Sequence, residues 1–216
     1  YNKSLAHLSN EDFQLGWSIY DWRWLATNDI GRPLETSRPT WQSKREQRVL
    51  LWAEQGIGDE VMFSSLIHDI YKCSSKLTVQ TDERLIPLFK RSFPSDINFV
   101  SSKVAVSEDD YDAHISMGSL PQYFRQTVDS FSSTSPGYLV ADTLKAAKIR
   151  SNILGDSSDA LIGISWHSTS IHKGAKNRII SLEKMATALA APNVKLVCLQ
   201  YGDVANQISD LHASTG

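Results

Sequence analysis

The feature that most constrains this 216-residue chain is a change of texture at Arg48. From there on, short apolar runs alternate with segments of helical period. Arg48–Trp52 is almost wholly apolar, as a strand covered on both faces must be. Asp59–Tyr71 carries Val61, Met62, Leu66, Ile67 and Ile70 at helical spacing. Lys76–Gln80 reads as a second strand and Glu83–Phe93 as a second helix. Asn98–Val100 and Ala113–Ser116 are short strands, and Leu120–Phe124 and Ala141–Leu154 are helices. This order predicts an α/β class with a Rossmann-like parallel sheet and helices on both faces.

A second unit of the same kind opens at Leu161. Leu161–Trp166 reads as a strand, Ser181–Ala191 as a helix and Val194–Gln200 as another strand. One β-α-β unit is too small to cover its own helix, so the second domain is expected to be truncated. Ahead of the sheet, residues 1–24 read as a helical hairpin, with Leu5 and Leu8 in its first arm. Asn10, Glu11 and Asp12 form its turn, and Phe13, Trp17, Tyr20 and Trp24 share one face of a single second helix. Gly16 permits close approach of a neighbouring helix. Residues 25–47, with Gly31, Pro33 and Pro39, read as a linker pinned down by Trp41. The expected organisation is therefore 1–24 helical, 25–47 linker, 48–155 first α/β domain and 156–216 the start of a second.

Composition excludes several functions. Net charge is −2, without the basic excess that a phosphate backbone demands, so no nucleic-acid partner is expected. No run approaches the roughly 20 apolar residues of a membrane span, and no signal segment opens the chain. The six histidines show no metal-ligand spacing. Cys73 and Cys198 lie far apart in apolar surroundings, which reads as buried free thiols and a cytoplasmic location.

Two loops carry the candidate chemistry. The first, Trp52-Ala53-Glu54-Gln55-Gly56-Ile57-Gly58-Asp59, follows the first strand. Gly56 and Gly58 let the chain turn sharply into a helix and let a ligand approach the backbone. The plainer alternative is a simple strand-to-helix turn capped by Asp59. The loop is not a full dinucleotide fingerprint, since Val61 stands where a third glycine belongs, although Asp82 ends the second strand as a ribose-binding acid would. The second loop runs from Trp166 and His167 through Ser168, Lys173, Asn177 and Arg178. Hydroxyls and cations between a strand and a helix suit a phosphate, and a solvated basic loop is the plainer alternative. Asp110-Tyr111-Asp112 matches the D-x-D pattern of metal-dependent sugar transferases, but reads more simply as a solvated acidic turn. His114, alone in a short strand, reads as structural or as a ligand contact.

Taken together, these stretches resemble a known family. Phe13–Arg23 is similar to the last helix of a tetratricopeptide (TPR) array of the kind that precedes a glycosyltransferase domain in bacterial TPR proteins. Leu50–Asp59 resembles that family's W-A-E-Q-G-x-G-D signature. Tyr111–Pro121 resembles its mid-domain strand and turn, and Gly163–Trp166 with Asn177, Arg178 and Ser181–Glu183 the start of its second domain. Where the family usually has Arg-Ser-Ile-Pro, this chain reads Arg178-Ile179-Ile180-Ser181.

The resemblance implies a heptosyltransferase-like, two-domain GT-B fold with a cleft between two Rossmann-like domains. The first domain would hold a protein, lipid or glycan acceptor. The second would hold the nucleotide-sugar, a co-substrate, so that no separate cofactor and no metal are implied. Asp59 matches the general base. Gln55, Gly56, Gly58 and His114 fall on the acceptor side, and Trp166, Ser168, Lys173, Asn177 and Arg178 on the donor side. Arg178 would steady the departing diphosphate. Upstream TPR repeats would offer a surface to a protein partner. The 216 residues alone are expected to be inactive, because half a donor site cannot bind its substrate. Two other readings remain: a TPR-linked scaffold with a non-catalytic α/β domain, and an NAD(P)-binding oxidoreductase resting on Gly56, Gly58 and Asp82.

Overall fold

The computed structural model describes residues 1–26, 32–132, 137–167 and 179–215. The chain divides into two compact units, Tyr1–Asp142 and Thr143–Gly216.

The first unit is built on four parallel strands, β1 (Gln47–Trp52), β2 (Ser74–Thr81), β3 (Asn98–Ser101) and β4 (Ala113–Ser116), in the order β3-β2-β1-β4. β1 lies at the centre, paired to β2 on one side and β4 on the other. Its last four residues are buried, which is why the sequence there is continuously apolar. Val49 and Leu51 face a core that also takes Leu66, Ile67, Ile70, Leu77, Val79 and Phe89. Trp52 stacks on Trp24 at a centroid distance of 5.6 Å.

Among the described residues, seven short helices and several 3₁₀ turns accompany the sheet of the first unit. α1 (Asn2–Ser9), α2 (Phe13–Ser18) and α3 (Arg23–Ala26) precede it. α4 (Ile57–Phe63) and α5 (Ile67–Tyr71) join β1 to β2. α6 (Ile86–Ser92) precedes β3, and α7 (Pro121–Phe124) follows β4. Two helices expected to be continuous are broken. The helix read over 59–71 is split by a 3₁₀ turn at Ser64–Leu66, where Ser64 Oγ donates to the Val61 carbonyl at 2.7 Å and Ser65 Oγ to that of Met62 at 2.8 Å. Hydroxyls that take a preceding carbonyl compete with the helical ladder and bend it. The helix read over 13–24 breaks at Ile19 into a 3₁₀ turn (Tyr20–Trp22), with Ser18 Oγ on the Leu15 carbonyl in the same way. α1 and α2 pack closely: a Cβ at Gly16 would stand 2.5 Å from Leu8 Cδ2.

The described part of the linker from residue 32 onward is part of the first unit. Thr40 bridges to His114 in parallel fashion, and Trp41 N–H donates to the His114 carbonyl at 2.8 Å, so this stretch covers the outer edge of β4. Trp41 is 0% exposed and belongs to the core, not to a surface contact.

The second unit contains α8 (Thr143–Leu154), β5 (Ala160–Ile164), α9 (Leu182–Leu189), β6 (Val194–Cys198) and α10 (Ala205–Thr215). α8 therefore belongs with the second unit, although the sequence places it at the end of the first domain. β5 and β6 pair in parallel, and Ile164, Trp166, Leu182 and Val204 form the core. Cys73 is partly buried, but Cys198 is exposed, contrary to the apolar setting of its neighbours in sequence. Among the described residues it ends β6 in a sheet of two strands, which offers little to cover it. Among the described residues no helix is long and apolar enough to cross a membrane.

Candidate functional site at the carboxyl ends of the first sheet

All four strands of the first sheet run the same way, so their following loops gather at one edge, where open α/β sheets take their ligands. A groove of about 570 Å³ lies there, over the ends of β1, β2 and β3. Trp52, Glu54, Gln55, Glu60, Gln80 and Asp82 line it, with Arg32–Glu35 of the linker on another wall.

The glycine loop enters the groove from β1. Gly56 is the N-cap of α4, in extended conformation, and Asp59 sits in the first turn with Oδ2 accepting the Gly56 N–H at 3.2 Å. Asp59 thus closes the first turn from inside the helix and is not its N-cap residue. It is half-buried and, with Gly56 and Gly58, stands beside the groove lining, not in it. Gln55 lines the groove, while its amide donates to Glu54 Oε1 (3.2 Å) and Tyr20 Oη (3.4 Å).

The carboxylates are individually anchored. The Glu54 side chain is only 2% exposed; its Oε1 accepts from Arg23 Nη2 at 3.0 Å and from Gly118 N–H at 3.1 Å. Burial pushes its carboxyl above the ordinary range, against the opposing pull of Arg23. Burial also lifts the Tyr20 hydroxyl to about 12. Glu60 is buried and accepts from Thr81 Oγ1 at 2.5 Å and Asp82 N–H at 2.9 Å, tying α4 to the end of β2. Asp82 is held by Arg84 through Nε, Nη2 and the backbone N–H, which keeps it well below the carboxylate range. A ribose would compete with that guanidinium for the same oxygens.

His114 lies in β4 and accepts the Trp52 indole N–H on Nδ1 at 3.1 Å. An indole can only donate, so the ring is neutral and carries its proton on Nε2. Burial lowers its pKa in the same direction. The D-x-D pair lies elsewhere. Asp112 precedes β4, where its carboxylate accepts from Arg48 N–H, Nε and Nη2 at the entrance to β1. That is the amino end of the strands, opposite the groove. Among the described residues no group of three or more His, Cys, Asp or Glu is placed to hold a metal ion.

In the second unit, Trp166 follows β5 and is 3% exposed, with its indole N–H on Gln207 Oε1 at 2.8 Å. Gln200, just past β6, accepts from Ser165 Oγ, Trp166 N–H and His167 N–H through one oxygen and donates to the His167 carbonyl. A cavity of about 610 Å³ beside them is lined by Trp166, His167, Ser181, Glu183, Gln207 and Asp210. Ser168, Lys173, Asn177 and Arg178 lie outside the described residues. Arg23, Glu54, Glu60 and Gln200 are the structural contributors that sequence reading missed. Only Glu54 had a signal, its place between the strand and the first glycine.

Compared with known proteins, the chain matches no family model. It is 26% identical, over 212 residues covering 90% of its length, to a protein of Caulobacter vibrioides named Protein FlbA. The chain spans 35% of that relative's length. No solved structure matches.

Proposed function

We propose that this chain contributes the acceptor-side domain, and the beginning of the donor-side domain, of a metal-independent glycosyltransferase of the GT-B type preceded by TPR-like helices. The observation that carries the reading is the W-A-E-Q-G-x-G-D loop, which leaves the central strand β1 at the carboxyl edge of the sheet and borders a polar groove. A groove lined by Glu54, Gln55, Glu60, Gln80 and Asp82 suits a hydroxyl-bearing acceptor better than a phosphate. In this reading Asp59 takes the proton as the acceptor oxygen attacks the anomeric carbon and the nucleoside diphosphate leaves. The charge on the leaving group would be met by cationic side chains, without a metal.

The test is release of nucleoside diphosphate by the full-length protein across a panel of nucleotide-sugars, with Asp59→Asn as the control. Asparagine keeps an oxygen for the Gly56 N–H and cannot take a proton. A loss of kcat of about 10²-fold or more, with the melting temperature held, is the expected result. Indifference of turnover to Asp59→Asn would remove the base. Absence of turnover with every donor would favour a non-catalytic binding domain.

A further inference from the structure

The strand order reverses between β1 and β4, and the crevice outside the carboxyl ends of two such strands is the ordinary place for a ligand. Here the chain fills that crevice itself. Arg23 is 0% exposed, and its Nη2 donates to Glu54 Oε1 after β1 (3.0 Å), to Ser116 Oγ at the end of β4 (2.8 Å) and to Ser119 Oγ (2.9 Å). Its Nη1 donates to Asp21 Oδ1, and the guanidinium lies over the Tyr20 and Trp24 rings, 4.7 and 4.1 Å from their centroids. One side chain thereby joins the helical segment, the loop after β1 and the loop after β4.

A buried ion pair is a poor way to add stability, since desolvation consumes most of the Coulombic gain. What a guanidinium adds is direction: a planar fork fixes the groups it touches more tightly than a core leucine would. The loop it holds needs that restraint. Gly56 and Gly58 leave the backbone with more conformers than other residues allow, and a Cβ at either would meet no close steric barrier.

We propose that Arg23 is a positioning residue, which holds the Glu54–Gly58 loop, and Asp59 with it, so that the helical segment ahead of the sheet governs the site. The restraint on the loop stands by itself; only the consequence for turnover rests on the glycosyltransferase reading.

Hydrogen exchange followed by mass spectrometry on the intact protein tests the restraint. Arg23→Lys keeps the charge and removes the fork. Amides of Gln55–Asp59 are then expected to exchange roughly tenfold faster, with Val49–Leu51 unchanged. Ser119→Ala removes one acceptor of Nη2, should act in the same direction more weakly, and carries the test if Arg23→Lys does not fold. Unchanged exchange in the loop, or an equal rise in the loop and in β1, overturns the proposal. Turnover is measured on the same variants, where kcat should fall with the donor KM unchanged. A loosened loop with full kcat overturns control of the site. A loosened loop in a protein whose wild type transfers no sugar leaves the restraint standing and removes the glycosyltransferase reading instead.

Discussion

Gly118 and Glu54 meet at contact distance: the Gly118 N–H donates to Glu54 Oε1 at 3.1 Å, and a Cβ placed on Gly118 would lie 2.4 Å from that same oxygen. No side chain fits between the two loops. Gly118→Ala must therefore push Glu54 away, although that carboxylate is also the partner of the buried Arg23. Displacing one member of a buried pair leaves the other poorly compensated, at a cost of about 3–5 kcal/mol if the pair is broken. The expected outcome is a destabilisation of at least about 2 kcal/mol in urea unfolding, far above the small penalty of an ordinary Gly→Ala change. A melting curve like that of the wild type would mean that the loops can part freely.

Trp41 supports the first unit from the linker. It is fully buried, packs against Tyr123 and Phe124 at 5.1 and 6.0 Å between centroids, and donates its indole N–H to the Lys44 carbonyl at 2.9 Å. Trp41→Ala is expected to cost about 3–5 kcal/mol through the cavity and the lost contacts. Trp41→Phe should recover most of the packing and lose the hydrogen bond, about 1 kcal/mol. Chemical denaturation of both variants checks the order. Equal stability of Trp41→Ala and the wild type would make the linker an appendage.

The parallel sheet was legible because β1 and β2 are buried strands, and burial on both faces leaves a continuous apolar mark such as Val49–Trp52. The breaks at Ile19 and Ser64 were not, because apolar spacing continues through them while hydroxyls on Ser18, Ser64 and Ser65 divert the carbonyls. The glycine loop was found from its composition. Its buried partner was not: Arg23 lies 31 positions before Glu54, and no local pattern distinguishes it from a solvated arginine. The D-x-D letters, read as an acidic turn in preference to a metal site, place Asp112 at the amino end of β4, bound to Arg48.

That pairing has a pH signature. The Arg48 guanidinium and backbone N–H hold Asp112 at about 2, and the Ser37 and Thr36 hydroxyls with the Ser37 N–H hold Glu108 at about 2. Both values are depressed on folding from 3.8 and 4.5. Between the two values the unfolded chain binds more protons than the folded one, so stability rises with pH there. The contribution is present above about pH 4.5 and is lost as pH falls toward about 2. Urea midpoints should therefore decline across that window in the wild type. The decline should be shallower in Asp112→Asn and Glu108→Gln, which have no proton to bind. Parallel curves for wild type and variants would show that these carboxylates are not anchored in the folded state.

Gln200 makes the last case. One oxygen accepts from Ser165 Oγ at 3.1 Å, Trp166 N–H at 2.9 Å and His167 N–H at 3.0 Å, while Nε2 donates to the His167 carbonyl at 3.0 Å. The side chain thus sets the course of the chain as it leaves β5 for the loop proposed to meet the donor. Gln200→Ala strips the acceptor from two backbone donors, and an unmet donor costs about 1–3 kcal/mol where water does not replace the partner. Gln200→Glu keeps the accepting oxygen and replaces the donor by a second acceptor facing the His167 carbonyl. It should therefore hold the Trp166 and His167 amides while losing the bond on the other side. Hydrogen exchange at those two amides separates the cases: faster by roughly tenfold in Gln200→Ala and near the wild-type rate in Gln200→Glu. If both variants exchange equally faster than the wild type, the carbonyl side of the clamp carries the restraint; if both keep the wild-type rate, the side chain does not restrain these amides.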